Sequence, residues 1–238
     1  MQKTWLFLDF DNTLMATEQF GVPTLIERFN ELYSHLIKRK LTLVEFKQHF
    51  HGQARETLCE NMSKYFNIHV DYAVLYDARE WRMMQYLQQL HEGVPMAPNL
   101  IETLTKLISH NTILSFVSNN PIQRALTAMR FATNAQGDRL ASFFGTRFFE
   151  AGDAQKPKPD VYLRAMAQVA ADPQKCFAVE DSITGVTAAI QAGITTFGFT
   201  GFADEPTQMK TKLLEKGCVE VFNDWKDFQG IYDVYKKA

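Results

Sequence analysis

Beyond residue 98 the chain alternates short apolar runs with stretches of helical periodicity, and this rhythm restricts the fold more than any other feature. The runs are 112–117, 175–179, 194–199 and 218–222. Apolar residues fall at helical spacing over 99–109, 121–131, 160–171, 183–192 and 206–216. Such alternation predicts an α/β chain with parallel strands and right-handed crossovers, because each helix must return its apolar stripe to the sheet. A fifth run, residues 4–9, opens the chain, far from the others in sequence.

The intervening stretch reads as helical throughout, with apolar periodicity in Phe20 to Ile37, Leu43 to Phe50, Glu56 to Phe66 and Tyr72 to Leu90. Gly93-Val94-Pro95-Met96-Ala97-Pro98 then breaks the pattern with turn formers. The expected organisation is a parallel-sheet core of residues 1–15 and 93–238, interrupted by an all-helical cap at 16–92. With 238 residues the chain has room for a core and an insertion of that size. An insertion directly after the first strand is well placed to serve as a lid.

That first strand delivers two carboxylates to its end, in Asp9-Phe10-Asp11-Asn12-Thr13. Side-chain alternation puts Asp9 and Asp11 on one side of the backbone. Two like charges so close raise each other's pKa or need a cation between them. A hard cation with oxygen ligands, Mg2+ above all, fits such a pair. The carboxyl end of a strand is also where open α/β sheets bind ligands. Metal-assisted chemistry on an anionic substrate is the resulting expectation.

Three further polar clusters sit at strand ends or helix starts. Ser118-Asn119-Asn120 follows the run 112–117 and Pro121 opens the next helix, an arrangement that can cradle a phosphate. Lys156-Pro157-Lys158-Pro159-Asp160 aims a lysine from a stiff backbone, where its ammonium can neutralise both a carboxylate and a phosphate. Glu180-Asp181-Ser182 follows the run 175–179, and adjacent acids there can ligate a cation. Taken alone, helix capping better explains the Ser-Asn cluster, a stiff solvated loop better explains the lysine run, and a capping acid also explains Glu180-Asp181; their joint order is the informative part.

In that order the clusters resemble the four motifs of the haloacid dehalogenase superfamily of phosphohydrolases: Asp9-Phe10-Asp11-Asn12-Thr13, Ser118-Asn119, Lys156 in K-P-x-P-D, and Glu180-Asp181-Ser182 with Gly185-Val186 and Ala188-Ala189. Gly198-Phe199-Thr200-Gly201 looks like the branch related to β-phosphoglucomutase and phosphoglycolate phosphatase, whose members carry a helical cap. The resemblance implies a Rossmann-like parallel-sheet core. It implies that Asp9 is the nucleophile and forms an aspartyl-phosphate, and that Asp11 protonates the leaving oxygen and then activates water. It implies Mg2+ held by the Asp9 carboxylate, the Asp11 main-chain carbonyl and Asp181, with Glu180 as a direct or more distant ligand. Thr13, Ser118 and Asn119 would hold the phosphoryl group, and Lys156 would balance charge between it and Asp9. Asn12 stands where the family usually has Gly, and Gln155 where a Gly often precedes the lysine. Neither departure touches a catalytic atom, and Asn tolerates positive φ.

The expected activity is Mg2+-dependent hydrolysis of a small phosphomonoester, with sugar phosphates among the candidate substrates. Asp11 argues against a dehalogenase, which needs no acid there. A mutase of the β-phosphoglucomutase type has a His twelve residues after the nucleophile; Gly21 occupies that position here. A phosphosugar mutase and a non-catalytic binding protein on the same fold stay as alternatives. Gly52-Gln53-Ala54-Arg55-Glu56 resembles the family's substrate-specificity loop, in which Arg55 would grip a second, non-reacting anion of the substrate; a capped, solvated helix start with an Arg–Glu surface pair is the equal alternative.

Composition removes other classes. A net charge of −2 without a long basic run excludes nucleic acid as an expected partner, leaving a small phosphorylated metabolite. Cys59, Cys176 and Cys218 show no C-x-x-C spacing, which suits a reducing, cytoplasmic setting and inert buried thiols. The chain enters its first strand too early for a signal peptide, and no apolar run approaches a membrane span. No G-x-G-x-x-G follows the first strand, against a dinucleotide-binding enzyme. Phe143-Phe144 and Phe148-Phe149 are expected in the core or an edge strand, and Trp81, Met83 and Met84 in the packing of the cap.

Overall fold

Strand β1 (Thr4–Leu8) lies inside a six-stranded sheet with β2 (Thr112–Ser118), β3 (Phe148–Glu150), β4 (Cys176–Glu180), β5 (Thr195–Phe199) and β6 (Glu220–Phe222). The spatial order is β3-β2-β1-β4-β5-β6 and every pairing is parallel. The computed structural model describes residues 3–50 and 55–236 of the chain. Every residue of β4 is buried, as expected for a parallel strand covered on both faces. The strand order reverses around β1: the chain moves outward through β2 and β3, then returns to the other side for β4 to β6. That topology makes the carboxyl edge of β1 a switch point, where α/β sheets leave a crevice for ligands. Leu8 pairs with Phe116 on one side and Val179 on the other, so the ends of β2 and β4 flank the turn that leaves β1.

The described chain divides into two compact units, Met1–Thr17 with Leu90–Ala238, and Glu18–Gln89. The second consists of helices α1 (Glu18–Ile37), α2 (Leu43–His49), α3 (Arg55–Phe66), α4 (Tyr72–Leu75) and α5 (Arg79–Gln89). Ile26, Phe29 and Tyr33 line one stripe of α1 and pack with Phe46, Phe50, Leu58 and Met62. The periodicity of 72–90 reads as one helix, but the chain turns between α4 and α5, where Ala78 adopts φ +50°. The apolar stripe survives that turn, so spacing alone does not show it. Met83 and Leu87 face the core of this unit. Trp81 does not pack as expected: it is 56% exposed, because two residues turn a helix by about 200° away from Met83.

The sheet unit is completed by α6 (Leu100–Ser109), α7 (Ile122–Arg130), α8 (Gly137–Phe144), α9 (Asp160–Gln168), α10 (Ile183–Gln191), α11 (Pro206–Lys216) and α12 (Trp225–Lys236). Phe143 and Phe144 fall in α8, and Phe148 and Phe149 form the edge strand β3. Helix α12 buries Trp225, Phe228 and Tyr232 against Phe177, Phe197 and Phe222 of the sheet. No helix among the described residues is long and apolar enough to cross a membrane.

All three cysteines are buried as thiols, and burial pushes those of Cys176 and Cys218 up to about 12. A thiol in that state is a poor nucleophile. The native protein is therefore expected to react only slowly with a disulfide reagent near pH 8, with all three thiols titrating after denaturation. Rapid native reaction at any of them would contradict the burial described.

Candidate active site

The turn after β1 is built on the Phe10 carbonyl, which accepts from the N–H groups of Thr13, Leu14 and Met15 at 3.2, 3.0 and 3.3 Å. Asn12 adopts φ +56° within it, a conformation that Asn tolerates better than most side chains. Phe10 points into the core against Phe116, so Asp9 and Asp11 share the other side of the backbone. The turn also returns the Thr13 hydroxyl to donate to Asp9 Oδ2 at 3.1 Å.

Lys156 reaches the same carboxylate from a different part of the chain. Its Nζ donates to Asp9 Oδ1 at 2.6 Å, Glu180 Oε1 at 2.7 Å and the Val117 carbonyl at 3.2 Å, which uses all three ammonium donors. Asn119 fixes the lysine's backbone: its Oδ1 accepts from the Lys156 N–H at 2.7 Å. The Tyr162 hydroxyl donates to Glu180 Oε1, so α9 supports the acid from below the lysine loop. Gly185 is required here, since a Cβ at that position would lie 1.8 Å from Glu180 Oε2. Burial, together with the charges of Glu180 and Asp11, pushes Asp9 up to about 7 against the pull of Lys156. Burial alone would lower the Lys156 ammonium, but the carboxylates of Asp9 and Glu180 outweigh it and hold the lysine charged.

Asp11 occupies a separate nest of donors. Oδ1 accepts from Arg124 Nη2 at 2.6 Å and from the Thr17 hydroxyl. Oδ2 accepts from Asn120 Nδ2 at 2.8 Å and meets the Ser118 hydroxyl at 3.5 Å. Burial opposes ionisation, but the Arg124 guanidinium and the hydroxyl and amide donors outweigh it and hold Asp11 below the usual carboxylate range. Ser118 is itself buried and accepts from the Asn120 N–H at 2.9 Å, closing the turn that opens α7.

Asp9, Glu180 and Asp181 can each bring one oxygen within 4.8 Å of the others. Among the described residues, the carboxylates of Asp9, Asp11, Glu180 and Asp181 are accompanied by the cations Lys156 and Arg124. The surplus of negative charge is what a divalent cation would neutralise. Glu180 Oε2 is buried without a hydrogen-bond partner among the described residues, an oxygen that such an ion or its water would satisfy. The all-oxygen donor set fits Mg2+.

Of the residues singled out in the sequence, Asp9, Thr13, Lys156, Glu180 and Asp181 converge at the end of β1, with Asp11 and Ser118 beside them. Asn119 joins them through the Lys156 backbone. The Arg55 side chain and the loop 52–54 lie outside the described residues. Sequence reasoning gave no role to Thr17, Arg124 or Tyr162, and took Asn120 only as part of a phosphate-cradling cluster. Arg124 left a legible trace: it is the one charge on the face of α7 that also carries Ala125, Ala128 and Met129. Tyr162 left none beyond its place two residues after the K-P-x-P-D run.

A family model described as haloacid dehalogenase-like hydrolase matches residues 6–199. An uncharacterized protein of Haemophilus influenzae is 30% identical over 102 residues, 41% of this chain and 51% of that protein. The chain thus spans about half the length of this curated relative. Among solved structures, a conserved haloacid dehalogenase-like protein of Agrobacterium tumefaciens superimposes with a TM-score of 0.75 at 21% identity, covering 98% of this chain and 99% of that one. A HAD family hydrolase of Deinococcus radiodurans with bound phosphate and sodium gives 0.72 at 21% identity, covering 98% and 96%. At these identities the structural likeness concerns the fold.

Proposed function

The chain belongs to the haloacid dehalogenase-like hydrolases, and we propose that it is a Mg2+-dependent phosphatase acting on a small phosphomonoester through an aspartyl-phosphate on Asp9. The observation that carries this reading is the convergence of a buried nucleophile candidate, a fixed ammonium and an acid cluster at the switch point of the sheet. Phosphoryl transfer depends mostly on positioning and charge neutralisation, and those are what these residues supply. The phosphate bound to the fold neighbour from Deinococcus radiodurans agrees with an anionic substrate.

In this mechanism Asp9 attacks phosphorus and Asp11, which must first take up a proton against the pull of Arg124, gives it to the leaving oxygen. Lys156 offsets the Asp9 charge, while Thr13 and Ser118 orient the reacting group and Asn119 keeps the lysine loop in place. Water then cleaves the aspartyl-phosphate with Asp11 as base. Asp9, Asp181 and the Asp11 carbonyl, with Glu180 alongside, would hold Mg2+, which would supply neutralisation of the phosphoryl oxygens. The helical unit discriminates among substrates, with Arg55 gripping a second anion. Buried thiols outside any disulfide support a cytoplasmic setting.

The test is phosphate release from p-nitrophenyl phosphate and a panel of phosphorylated metabolites, with Mg2+ or with EDTA. Release that falls by on the order of 10^2-fold or more in EDTA is expected. No release from any compound, or equal rates without metal, would overturn the reading; interconversion of sugar phosphates without release would point to a mutase.

A further inference from the structure

Helix α7 turns one charge toward the interior: Arg124 is 3% exposed and sits on the same face as Ala125, Ala128 and Met129. A buried guanidinium is costly to desolvate, and an apolar side chain of similar length would fill that face without the cost. Stability is therefore a weak reason for an arginine at this position. Its target is specific: Nη2 donates to Asp11 Oδ1 at 2.6 Å.

The two oxygens of Asp11 are not equivalent. A carboxylate oxygen offers two lone pairs. Both on Oδ1 are taken, by Arg124 and by Thr17. On Oδ2 one is taken by Asn120 at 2.8 Å, and the other faces only the long 3.5 Å contact with Ser118. The saturated oxygen fixes the plane of the carboxyl group, and the amide fixes its rotation. Among the described residues no donor closer than Ser118 occupies the remaining acceptor site, which lies on Oδ2.

We propose that Arg124 is a positioning residue for the hydrolytic half of the reaction: with Thr17 it clamps Oδ1, so that Oδ2 receives the proton of the attacking water. The inference rests on the phosphatase reading given above. In the step, the water oxygen bonds to phosphorus and its proton passes to Asp11 Oδ2. The bond from phosphorus to Asp9 breaks and its electron pair returns to the Asp9 carboxylate. Phosphate leaves, and Asp11 recovers the proton it gave to the first leaving group.

p-Nitrophenyl phosphate separates the two halves, because nitrophenolate appears when the aspartyl-phosphate forms and phosphate appears when it breaks. In Arg124→Met the burst of nitrophenolate is expected to persist. Steady-state release should fall on the order of 10^2-fold, since small misplacements of a reacting group have effects of that size. Phosphorylated enzyme should accumulate, visible by mass after acid quench, and Arg124→Lys should recover part of the rate. Should Arg124→Met fail to fold by circular dichroism, Thr17→Val removes the other Oδ1 donor and carries the same expectation. Phosphoenzyme that clears at the wild-type rate in the variant overturns the clamp alone, as does an equal fall of burst and steady state. Absence of phosphate release from any substrate by the wild-type protein overturns the phosphatase reading and the clamp with it.

Discussion

Asp9→Asn is expected to lower phosphate release by on the order of 10^4-fold or more, while the protein stays folded. The carboxamide is no nucleophile toward phosphorus, so no aspartyl-phosphate forms. The local hydrogen bonds survive the exchange: the amide oxygen can still accept from Lys156, and the Thr13 hydroxyl can accept from the amide nitrogen. Lys156 also keeps Glu180 and the Val117 carbonyl. Loss of one negative charge relieves crowding among the acids, so the melting temperature should hold or rise. Released phosphate and a thermal melt check both halves of the expectation. Turnover within tenfold of the wild-type rate would remove Asp9 from the role of nucleophile.

Much of the frame behind that expectation was legible in the residues. The central runs near 4–8, 112–118, 176–180 and 195–199 could be read because parallel strands buried on both faces have little polar interruption. Edge strand β3 is three residues long, too short for any periodicity, and appeared only as an aromatic pair. Helix α12 was itself legible, since Trp225, Phe228 and Tyr232 fall at i, i+3 and i+7, yet no helix was expected there. At the site, residues with chemistry of their own at a strand end drew notice: Asp9, Lys156, Glu180. Those that act by holding another side chain did not. Thr17 is far in sequence from Asn120 and Arg124, which themselves lie one helical turn apart, and the three meet at the carboxylate of Asp11. No spacing rule connects Thr17 to that pair, because the fold rather than a local motif brings them together.

The same dependence on a distant partner governs the second large effect, expected for Lys156→Met. The substitution leaves Asp9 and the fully buried Glu180 without the cation that joins them. Glu180 keeps the Tyr162 hydroxyl as a donor. Removing one partner of a buried ion pair costs about 3–5 kcal/mol. For a chain of this length that corresponds to a fall in Tm of roughly 10 °C. Activity should vanish as well, but instability could explain that by itself. Glu180→Gln in the same chain separates the causes. It removes one of the two stranded charges, while its amide oxygen can still accept from Tyr162. The double variant should therefore regain much of the lost Tm and none of the lost turnover, with coupling between the two sites. Mg2+ should also raise the Tm of Lys156→Met more than that of the wild type, because the acids it binds have lost their resident cation. A single variant melting within about 2 °C of wild type would mean that Lys156 does not hold these acids together. A double variant no more stable than the single one would place the cost of the substitution in packing rather than in charge.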